Sequence, residues 1–418
     1  MNFMSQRVVG TRADIDSAYA WWRLAVSMVI ATVGSVGMWA VIVILPDIQA
    51  EFGVDRAGAS LPYTMTMIGF AFGGVIVGRY VDRLGMLLPM LASGTSLGLG
   101  FILASQTTGI WQFALIQCLL IGIGSAASFG PLIADVSHWF EIRRGIAVGA
   151  AASGNYIAGA IWPTIIRGLA ESEGWRSAYI TVGIVCFAVI LPLTLLLRRQ
   201  RPQDDAPMPS TDGLPPPIVP RYGSLGLSPR TLQLLLAVAG VACCTAMAMP
   251  QVHTVAYCAD LGYGVTRGAE MLSLMLAGGI VSRLASGFLA DYIGGIRTIL
   301  LGSALQCIAL FLYLPFDGLT SLYVVSLIFG LSQGGIVPGY AIIVREYLPA
   351  REAGQRVGLV IMATVFGMAL GGWMSGWIYD LTGSYEAAFL NGIAWNLLNI
   401  GIIGTLLWRS LGRRAVTA

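Results

Sequence analysis

One arginine stands inside a long apolar stretch, and it is the residue whose chemistry is easiest to name. Apart from Ser282, the residues for a full turn before Arg283 are apolar or glycine, and Leu284 and Ala285 follow it. An ionised side chain at membrane depth is costly and is by default a functional-site hypothesis. The forked donors of a guanidinium fit a carboxylate bidentately. We therefore predict that Arg283 binds an anionic substrate; the alternative is an arginine that snorkels or joins a gate near the inner surface.

Four other polar side chains lie within apolar stretches. His253 follows Pro250 in the outer third of its stretch, where a histidine could bind an anion or carry a proton near neutral pH. The alternative is a histidine satisfied by its neighbours. Asn155, Tyr156 and Gln333 lie near the middle of their stretches. These three side chains could hydrogen-bond a substrate, or they could bond between helices as packing contacts.

The chain contains an internal duplication at a spacing of 209 residues. The stretch GRYVDRLG at Gly78–Gly85 has an echo, GFLADYIG, at Gly287–Gly294, and the glycines coincide at both ends. Asp82 and Asp291 keep the same offset, and the spacing persists over the following hundred residues. A constant shift of this kind indicates two related halves.

Composition predicts the class of protein. Apolar residues make up 56% of the 418 residues, charged residues make up 11%, and the mean hydropathy is +0.76, which is far from soluble averages. Each apolar run is long enough to cross a hydrocarbon core of about 30 Å as a helix. We predict an all-α polytopic membrane protein with twelve transmembrane helices. The predicted spans are 21–48, 57–79, 86–106, 111–137, 145–167, 177–198, 231–257, 268–290, 296–315, 319–344, 354–378 and 386–408.

A segment rich in proline, glycine and charge follows the sixth span and cannot bury a core. It predicts a linker between two pseudo-symmetric six-helix halves. The predicted division is an N-terminal tail at 1–20, a first half at 21–198, a linker at 199–229, a second half at 230–408 and a C-terminal tail at 409–418. Ser228 and Pro229 are typical of an N-cap and first helical position for the seventh helix.

The basic residues predict the orientation. All 24 are arginines, and nineteen fall on the side of the two tails and the linker. Four lie on the other side, at Arg56, Arg167, Arg176 and Arg267, and Arg283 lies within a span. The positive-inside rule then places both tails in the cytoplasm, and we predict a bacterial inner membrane as the location. Because the arginines lie in loops at membrane surfaces, the net charge of +3 does not indicate a nucleic-acid partner.

Two six-helix halves, a cytoplasmic linker and a G-x-x-x-D-R-x-G turn together resemble the major facilitator superfamily, whose fold the resemblance implies. In that family the turn is a gating latch. The resemblance implies this role for Gly78, Asp82, Arg83 and Gly85, with Gly287, Asp291 and Gly294 as the second copy. Glycines permit close helix approach, and an aspartate suits the positive end of a helix dipole. The family's usual basic residues after the last glycine are replaced here by Met86 and Leu87.

Asp135 lies near the inner end of the fourth span, where it would face the first latch. We predict that it is part of the gate and pairs with Arg83 or Arg79. Proton carriage by this carboxylate is the alternative.

Three stretches are similar to the branch that contains monocarboxylate transporters and oxalate:formate exchangers. They are His138–Pro163, Pro250–Gly264 with Ser282–Asp291, and Gly371–Phe389. In that branch an arginine four residues before the second-half glycine binds the substrate carboxylate, and Arg283 stands at that spacing. The chain departs from the branch in having no lysine and in carrying Gly279 one turn before the arginine. One central positive charge fits one carboxylate better than two.

The sequence therefore predicts a secondary transporter of small organic anions, above all monocarboxylates, by proton-coupled symport with alternating access. Anion exchange and proton-driven export of hydrophobic compounds are the alternatives, and a ligand sensor is a third. No Walker sequence or metal-ligand spacing is present, so we predict neither an enzyme nor a cofactor or metal. The predicted partners are the anion, protons and membrane lipid, and the predicted state is a monomer.

Overall fold

The computed structural model describes residues 14–199, 225–348 and 353–417, and every regular element in these ranges is a helix. Before the predicted linker the helices are α1 (Ala18–Gly34), α2 (Val36–Val43), α3 (Leu45–Phe52), α4 (Arg56–Leu84), α5 (Leu87–Ala104), α6 (Ile110–Ile116), α7 (Ile123–Ala126), α8 (Gly130–Ser137), α9 (Arg144–Glu173) and α10 (Trp175–Leu196). A π-helical turn, Gln117–Gly122, joins α6 to α7. After the predicted linker they are α11 (Pro229–Asp260), α12 (Val265–Ile293), α13 (Gly295–Leu312), α14 (Leu319–Gln333), α15 (Ile336–Tyr347), α16 (Ala353–Thr382) and α17 (Tyr385–Thr417).

The helices confirm a multi-pass membrane protein. Within the described residues, eleven stretches are long and apolar enough to cross a membrane. The remaining predicted span corresponds to α9, which has 30 residues and would extend about 45 Å at 1.5 Å per residue. Its middle carries Ser153, Asn155 and Tyr156, which lower its hydropathy. With α9 included, the structure accommodates the twelve predicted spans.

Three predicted spans are divided by short breaks: the first, between α1, α2 and α3, and the fourth and tenth. In the fourth span α7 ends at Ala126 and α8 begins at Gly130; in the tenth, α14 ends at Gln333 and α15 begins at Ile336. A shift of 209 residues carries the break of the fourth span onto that of the tenth to within about one helical turn. Glycine and proline at these two breaks interrupt the helical hydrogen bonds. The predicted bounds of the fourth and tenth spans hold, and the breaks within them were not predicted.

The duplication is visible in the backbone. Gly85 follows α4 with φ +78° and its counterpart Gly294 follows α12 with φ +82°. Gly174 after α9 and Gly383 after α16 have φ +85° and +68°. Because only glycine adopts these angles without strain, the two halves end equivalent helices in the same way.

The seventh helix begins as the sequence predicts. Ser228 is the N-cap of α11, and its Oγ accepts a hydrogen bond from the Thr231 amide at 3.1 Å, with Pro229 at the first helical position. This arrangement satisfies one of the amides that have no partner within the helix. Most of the predicted linker, residues 200–224, lies outside the described residues, so the division at 199–229 stays a prediction.

The chain forms two compact units. The first contains the described parts of Met1–Val41 and Ile68–Pro217, and its inner core includes Leu24, Trp139 and Phe140. The second contains Ile42–Met67 together with the described parts of Ile218–Ala418.

The second unit is built around close packing of α11 against α16. A Cβ added at Gly367 would lie 2.5 Å from the carbonyl oxygen of Val241, and one at Gly371 would lie 2.3 Å from that of Thr245. Small residues allow helix backbones to approach this closely.

Candidate functional site

Arg283 lies on α12 at the border between buried and exposed residues. Its side chain is half-buried, and its Nε donates to the Gly334 carbonyl oxygen at 3.3 Å. The preceding Ser282 is buried, whereas Val281 and Leu284 are 58% and 50% exposed. The residue is thus neither enclosed in the helix packing nor fully exposed.

The carbonyl at this contact belongs to the break between α14 and α15. The Gly334 amide donates to Ser282 Oγ at 3.1 Å. A Cβ added at Gly334 would lie 2.3 Å from the Gly279 carbonyl oxygen, and one at Gly335 would lie 2.0 Å from Ser286 Oγ. Only glycines let α12 lie against the break at this distance.

A pair of buried glutamines lies next to the same break. Gln251 Nε2 donates to Gln333 Oε1 at 2.7 Å, and both side chains are at most 1% exposed. Among the described residues, Gln251 Oε1 and Gln333 Nε2 have no hydrogen-bond partner. Buried polar atoms are nearly always paired, so this donor and acceptor could take a polar group of a ligand. Gln333, a predicted binding residue, is the last residue of α14 and directly precedes the carbonyl that Arg283 contacts.

His253 is held by other partners. It is fully buried in α11, with Nε2 2.8 Å from the Gly372 carbonyl oxygen and Nδ1 3.2 Å from the Tyr385 hydroxyl. Since a carbonyl only accepts, Nε2 carries the hydrogen and Nδ1 accepts from the tyrosine. Both ring nitrogens of a neutral imidazole are then satisfied. In this structure His253 connects α11 to α16 and α17, and its role with substrate stays a prediction.

The two predicted substrate-binding residues of the first unit, Asn155 and Tyr156, lie on α9. Trp39 Nε1 donates to both the backbone oxygen and the Oδ1 of Asn155, at 3.2 and 3.1 Å. Trp39 and Tyr156 are 2% and 5% exposed. These contacts link Asn155 of α9 to Trp39 of α2, and the role of Asn155 with substrate stays a prediction.

The two latch turns are described in part. The side chains of Asp82 and Asp291 lie outside the described part of the structure, and Arg83 is exposed. At Gly78 and Gly287 no described atom lies within 4 Å of an added Cβ. The expected close helix approach at these two glycines is therefore absent here, and the glycines that the backbone requires are the positive-φ residues that end each turn.

The pairing predicted for Asp135 is wrong. Its Oδ2 accepts from Arg23 at 2.8 Å (Nη2) and 3.1 Å (Nε), and both side chains are buried. Arg79 and Arg83 are exposed on α4. Arg23 takes the carboxylate because α1 packs against α8 in the first unit, whereas sequence reasoning placed that arginine among the surface residues. The predicted gating role of Asp135 is a separate question and stays a prediction.

Two further polar residues were missed from the sequence. Glu346 Oε1 accepts from the Gly295 amide at 3.1 Å, so an acid on α15 caps the start of α13 directly after the second latch. A carboxylate at a helix N-terminus is favoured by the dipole, but nothing local in the sequence connects the two positions. Gln251 stands beside Pro250 in an apolar span, and an amide at that depth was the available signal.

Comparisons with known proteins agree on one family. A family model described as Major Facilitator Superfamily matches residues 27–322 and 259–417. Monocarboxylate transporter 13 of Bos taurus is 28% identical over 343 residues, which cover 80% of this chain and 77% of that protein. The MFS-type transporter pynF of Aspergillus niger is 27% identical over 291 residues, which cover 69% of this chain and 64% of that protein.

A solved structure has a similar fold. It is a bacterial homologue of the human lysosomal transporter Spinster, in an inward-facing and occupied conformation. The TM-score is 0.66 at 15% identity, with coverage of 96% of this chain and 97% of the other.

Proposed function

The chain belongs to the major facilitator superfamily of transporters, and we propose that it carries small organic anions, above all monocarboxylates, across the membrane. The observation that carries the proposal is the half-buried Arg283 on a membrane-spanning helix, in contact with the broken span α14–α15. In transporters, interrupted helices at matching positions of two repeats point to the substrate site.

The polar groups around Arg283 suit the binding of one carboxylate. The guanidinium supplies a permanent positive charge with forked donors, and Gln333 at the same break supplies an unpaired amide donor. Its partner Gln251 supplies an unpaired acceptor. We assign Arg283 to the carboxylate and the amide pair to a second polar group of the substrate. His253, Asn155 and Tyr156 remain candidate substrate contacts.

The relatives support the same class of cargo. Monocarboxylate transporter 13 of Bos taurus and monocarboxylate transporter 4 of Gallus gallus each align with most of this chain. The second is 24% identical over 90% of it. The alignment includes the region of Arg283, where the branch places its substrate-binding arginine.

We propose proton symport as the energy coupling, by alternating access of the two halves. Inward movement of an anion alone is opposed by the membrane potential, and a co-transported proton removes that opposition. Exchange of one anion for another is the alternative. The distribution of the arginines supports two cytoplasmic tails in a bacterial inner membrane, and we propose a monomer surrounded by lipid.

We propose that the latch turns gate the cytoplasmic side. Each turn ends in a positive-φ glycine, and buried acids lie at the same predicted side of both units. Asp135 holds Arg23 in the first unit, and Glu346 caps α13 in the second.

The test is thermal stabilisation of the purified protein by a panel of carboxylates. The panel contains short monocarboxylates, dicarboxylates, aromatic carboxylates and hydrophobic cations. Arg283→Gln is expected to weaken binding by about two orders of magnitude, because truncating one partner of a buried charge pair costs about 2–5 kcal/mol. Arg297→Gln is the matched control, since that arginine is exposed at the start of α13. Counterflow in proteoliposomes then separates a carrier from a sensor.

Each outcome decides between functions. Stabilisation by monocarboxylates that is lost in Arg283→Gln and kept in Arg297→Gln supports the proposal. Equal stabilisation of wild type and Arg283→Gln would assign the arginine to the gate. Stabilisation by hydrophobic cations alone would replace the proposal with the exporter.

A further inference from the structure

The turn between α8 and α9 presents apolar side chains around a positive charge. Ile142, in this turn, and Ile146, in the first turn of α9, are 79% and 63% exposed. Arg143 stands between them in sequence and is exposed as well. Exposed apolar patches rimmed by polar residues mark sites where a protein or a membrane is bound. A partner for this turn must therefore offer both apolar surface and negative charge.

The chain before α1 holds the turn in place. The Asp16 amide donates to the Trp139 carbonyl oxygen at 3.0 Å, and Asp16 Oδ2 accepts from the Glu141 and Ile142 amides at 3.1 and 3.0 Å. Asp16 itself has φ +52°, a left-handed conformation that aspartate tolerates because its short side chain forms local hydrogen bonds. The exposed side chains are thus carried by an ordered backbone.

An aromatic surface lies beside Arg143. Its guanidinium carbon is 5.9 Å from the centroid of the Trp21 ring, within the range of a cation–π contact. The Trp21 ring packs edge-on against Phe140, with the centroids 5.0 Å apart, and Trp22 is 46% exposed. Among the described residues Arg143 has no ion pair, so its donors are available to an anion. We call Trp21, Trp22, Ile142, Arg143 and Ile146 the Arg143 patch.

The Arg143 patch lies where two predicted spans meet a membrane surface. Trp21 and Trp22 begin the first predicted span, and Ile146 lies at the start of the fifth. The distribution of the arginines predicts that this surface is the cytoplasmic one. Tryptophan rings concentrate at the level of the lipid headgroups, and anionic lipids give the inner leaflet a negative surface potential. Lipid therefore offers both chemistries that the patch requires.

The second half of the duplication carries different residues at the equivalent positions. The spacing of 209 residues aligns Gly145 with Gly354 and continues through this region. It replaces the two isoleucines and the arginine between them by a basic residue, an amide and an acid, namely Arg351, Gln355 and Glu352. If the turn needed the apolar and basic residues in order to fold, both halves would be expected to keep them. The combination belongs to the first half alone.

We propose that the Arg143 patch binds one anionic phospholipid of the inner leaflet. The Arg143 guanidinium donates to the phosphodiester through its forked donors. The isoleucines contact the acyl chains, and the tryptophans lie at the level between headgroup and chains. A zwitterionic lipid adds a cationic group that Arg143 repels, so the site selects lipids of net negative charge. The inference goes beyond the proposed function and holds for any cargo.

The test is native mass spectrometry of the full chain in neutral detergent micelles. The protein is titrated with dioleoyl phosphatidylglycerol and, separately, with dioleoyl phosphatidylcholine, which has the same acyl chains without the net charge. The wild type is expected to bind its first phosphatidylglycerol about fivefold more tightly, because one arginine near an anionic headgroup contributes about that factor. Arg143→Gln should abolish the preference.

Arg345→Gln is the matched control. That arginine is exposed in the last turn of α15, on the same predicted side of the membrane, and its neighbours Val344 and Glu346 are buried. It removes one arginine from a surface without exposed isoleucines, so the preference for phosphatidylglycerol should remain.

Two further measurements separate the headgroup from the chains. Ile142→Ser combined with Ile146→Ser should weaken the binding of both lipids and keep the ratio of their affinities. The two side chains are exposed, so the variant is expected to stay folded. Inorganic phosphate carries the charge without the chains, and it should not displace bound phosphatidylglycerol.

Several outcomes would contradict the proposal. Equal affinity of the wild type for the two lipids would remove the selectivity, and an equal loss in Arg345→Gln would reduce it to total surface charge. Displacement by inorganic phosphate would assign Arg143 to a soluble anion. Unchanged lipid binding in the double serine variant would exclude the isoleucines. Wild-type dimers that this variant lacks, without any lipid preference, would assign the patch to a second copy of the chain.

Discussion

Arg23 and Arg283 are both arginines of membrane-spanning helices, and their surroundings are opposite. Arg23, in the first unit, is 1% exposed and donates to Asp135, to the Tyr19 hydroxyl and to the Leu197 carbonyl oxygen. Its guanidinium carbon also lies 4.5 Å from the Trp139 ring centroid. Arg283, in the second unit, is half-buried against a backbone carbonyl at a helix break.

Under the proposed function, the difference separates a folding role for Arg23 from a ligand role for Arg283. An arginine enclosed by a carboxylate, carbonyls and a ring cannot release its partners without exposing a buried charge. An arginine at the edge of a broken helix can accept a ligand while the fold stays intact. We therefore expect Arg23 to determine stability and Arg283 to determine binding, although their charge is the same.

The largest expected effect is on stability. Arg23→Gln leaves Asp135 buried and without its ion pair, which should cost about 3–5 kcal/mol of the free energy of unfolding. Thermal unfolding of the purified protein measures the loss as a lower midpoint. Carboxylate-induced stabilisation of the remaining folded protein is expected to persist.

Arg267→Gln is the control for Arg23→Gln, because exposed ion pairs contribute about 0–1 kcal/mol. Its midpoint should stay near that of the wild type. If Arg23→Gln unfolds like the control, or if it loses carboxylate binding while staying folded, the assignment of roles to the two arginines is wrong.

The fold was predictable because membrane spans are long, apolar and repeated. Length and composition determine each crossing, since every backbone group must be satisfied within a helix. The constant spacing of 209 residues predicted paired turns, and the angles of Gly85 and Gly294 agree. The break at Gly334 was not predicted, because it depends on the close approach of α12, which the local sequence does not encode.

The site was predictable only in part. Arg283 could be named as a candidate because a charge within an apolar run is recognisable from the sequence alone. The partner of Asp135 is Arg23 from a distant segment, whereas the sequence predicted Arg83 or Arg79. Contacts between segments far apart in sequence decide whether a charge is buried. These contacts cannot be inferred from the local sequence.

An intermediate effect is expected from replacing Gly334, the glycine whose carbonyl oxygen accepts from Arg283. Gly334→Ala places a Cβ 2.3 Å from the Gly279 carbonyl oxygen and 2.7 Å from the Arg283 amide, so α12 must move away. Overpacking of this kind costs about 1–3 kcal/mol, and carboxylate-induced stabilisation should weaken with it.

Gly401→Ala is the matched control, because that glycine of α17 is exposed and an added Cβ meets no described atom within 4 Å. Alanine there should leave binding unchanged and raise stability by about 0.4–1 kcal/mol through the unfolded chain. Full carboxylate binding by Gly334→Ala would show that the close approach of α12 to the break is not needed for the site.

The smallest effect is expected from replacing Trp39, which hydrogen-bonds the candidate binding residue Asn155 in the first unit. Trp39→Phe removes the hydrogen bonds that hold Asn155, and one neutral hydrogen bond contributes about 1 kcal/mol, or roughly fivefold in an equilibrium constant. Isothermal titration with the best carboxylate should show a change no larger than this, far below that of Arg283→Gln. Trp111→Phe is the control, since Trp111 is 70% exposed and should change nothing. A loss in Trp39→Phe as large as in Arg283→Gln would move the dominant recognition group to α9 and reverse the comparison between the units.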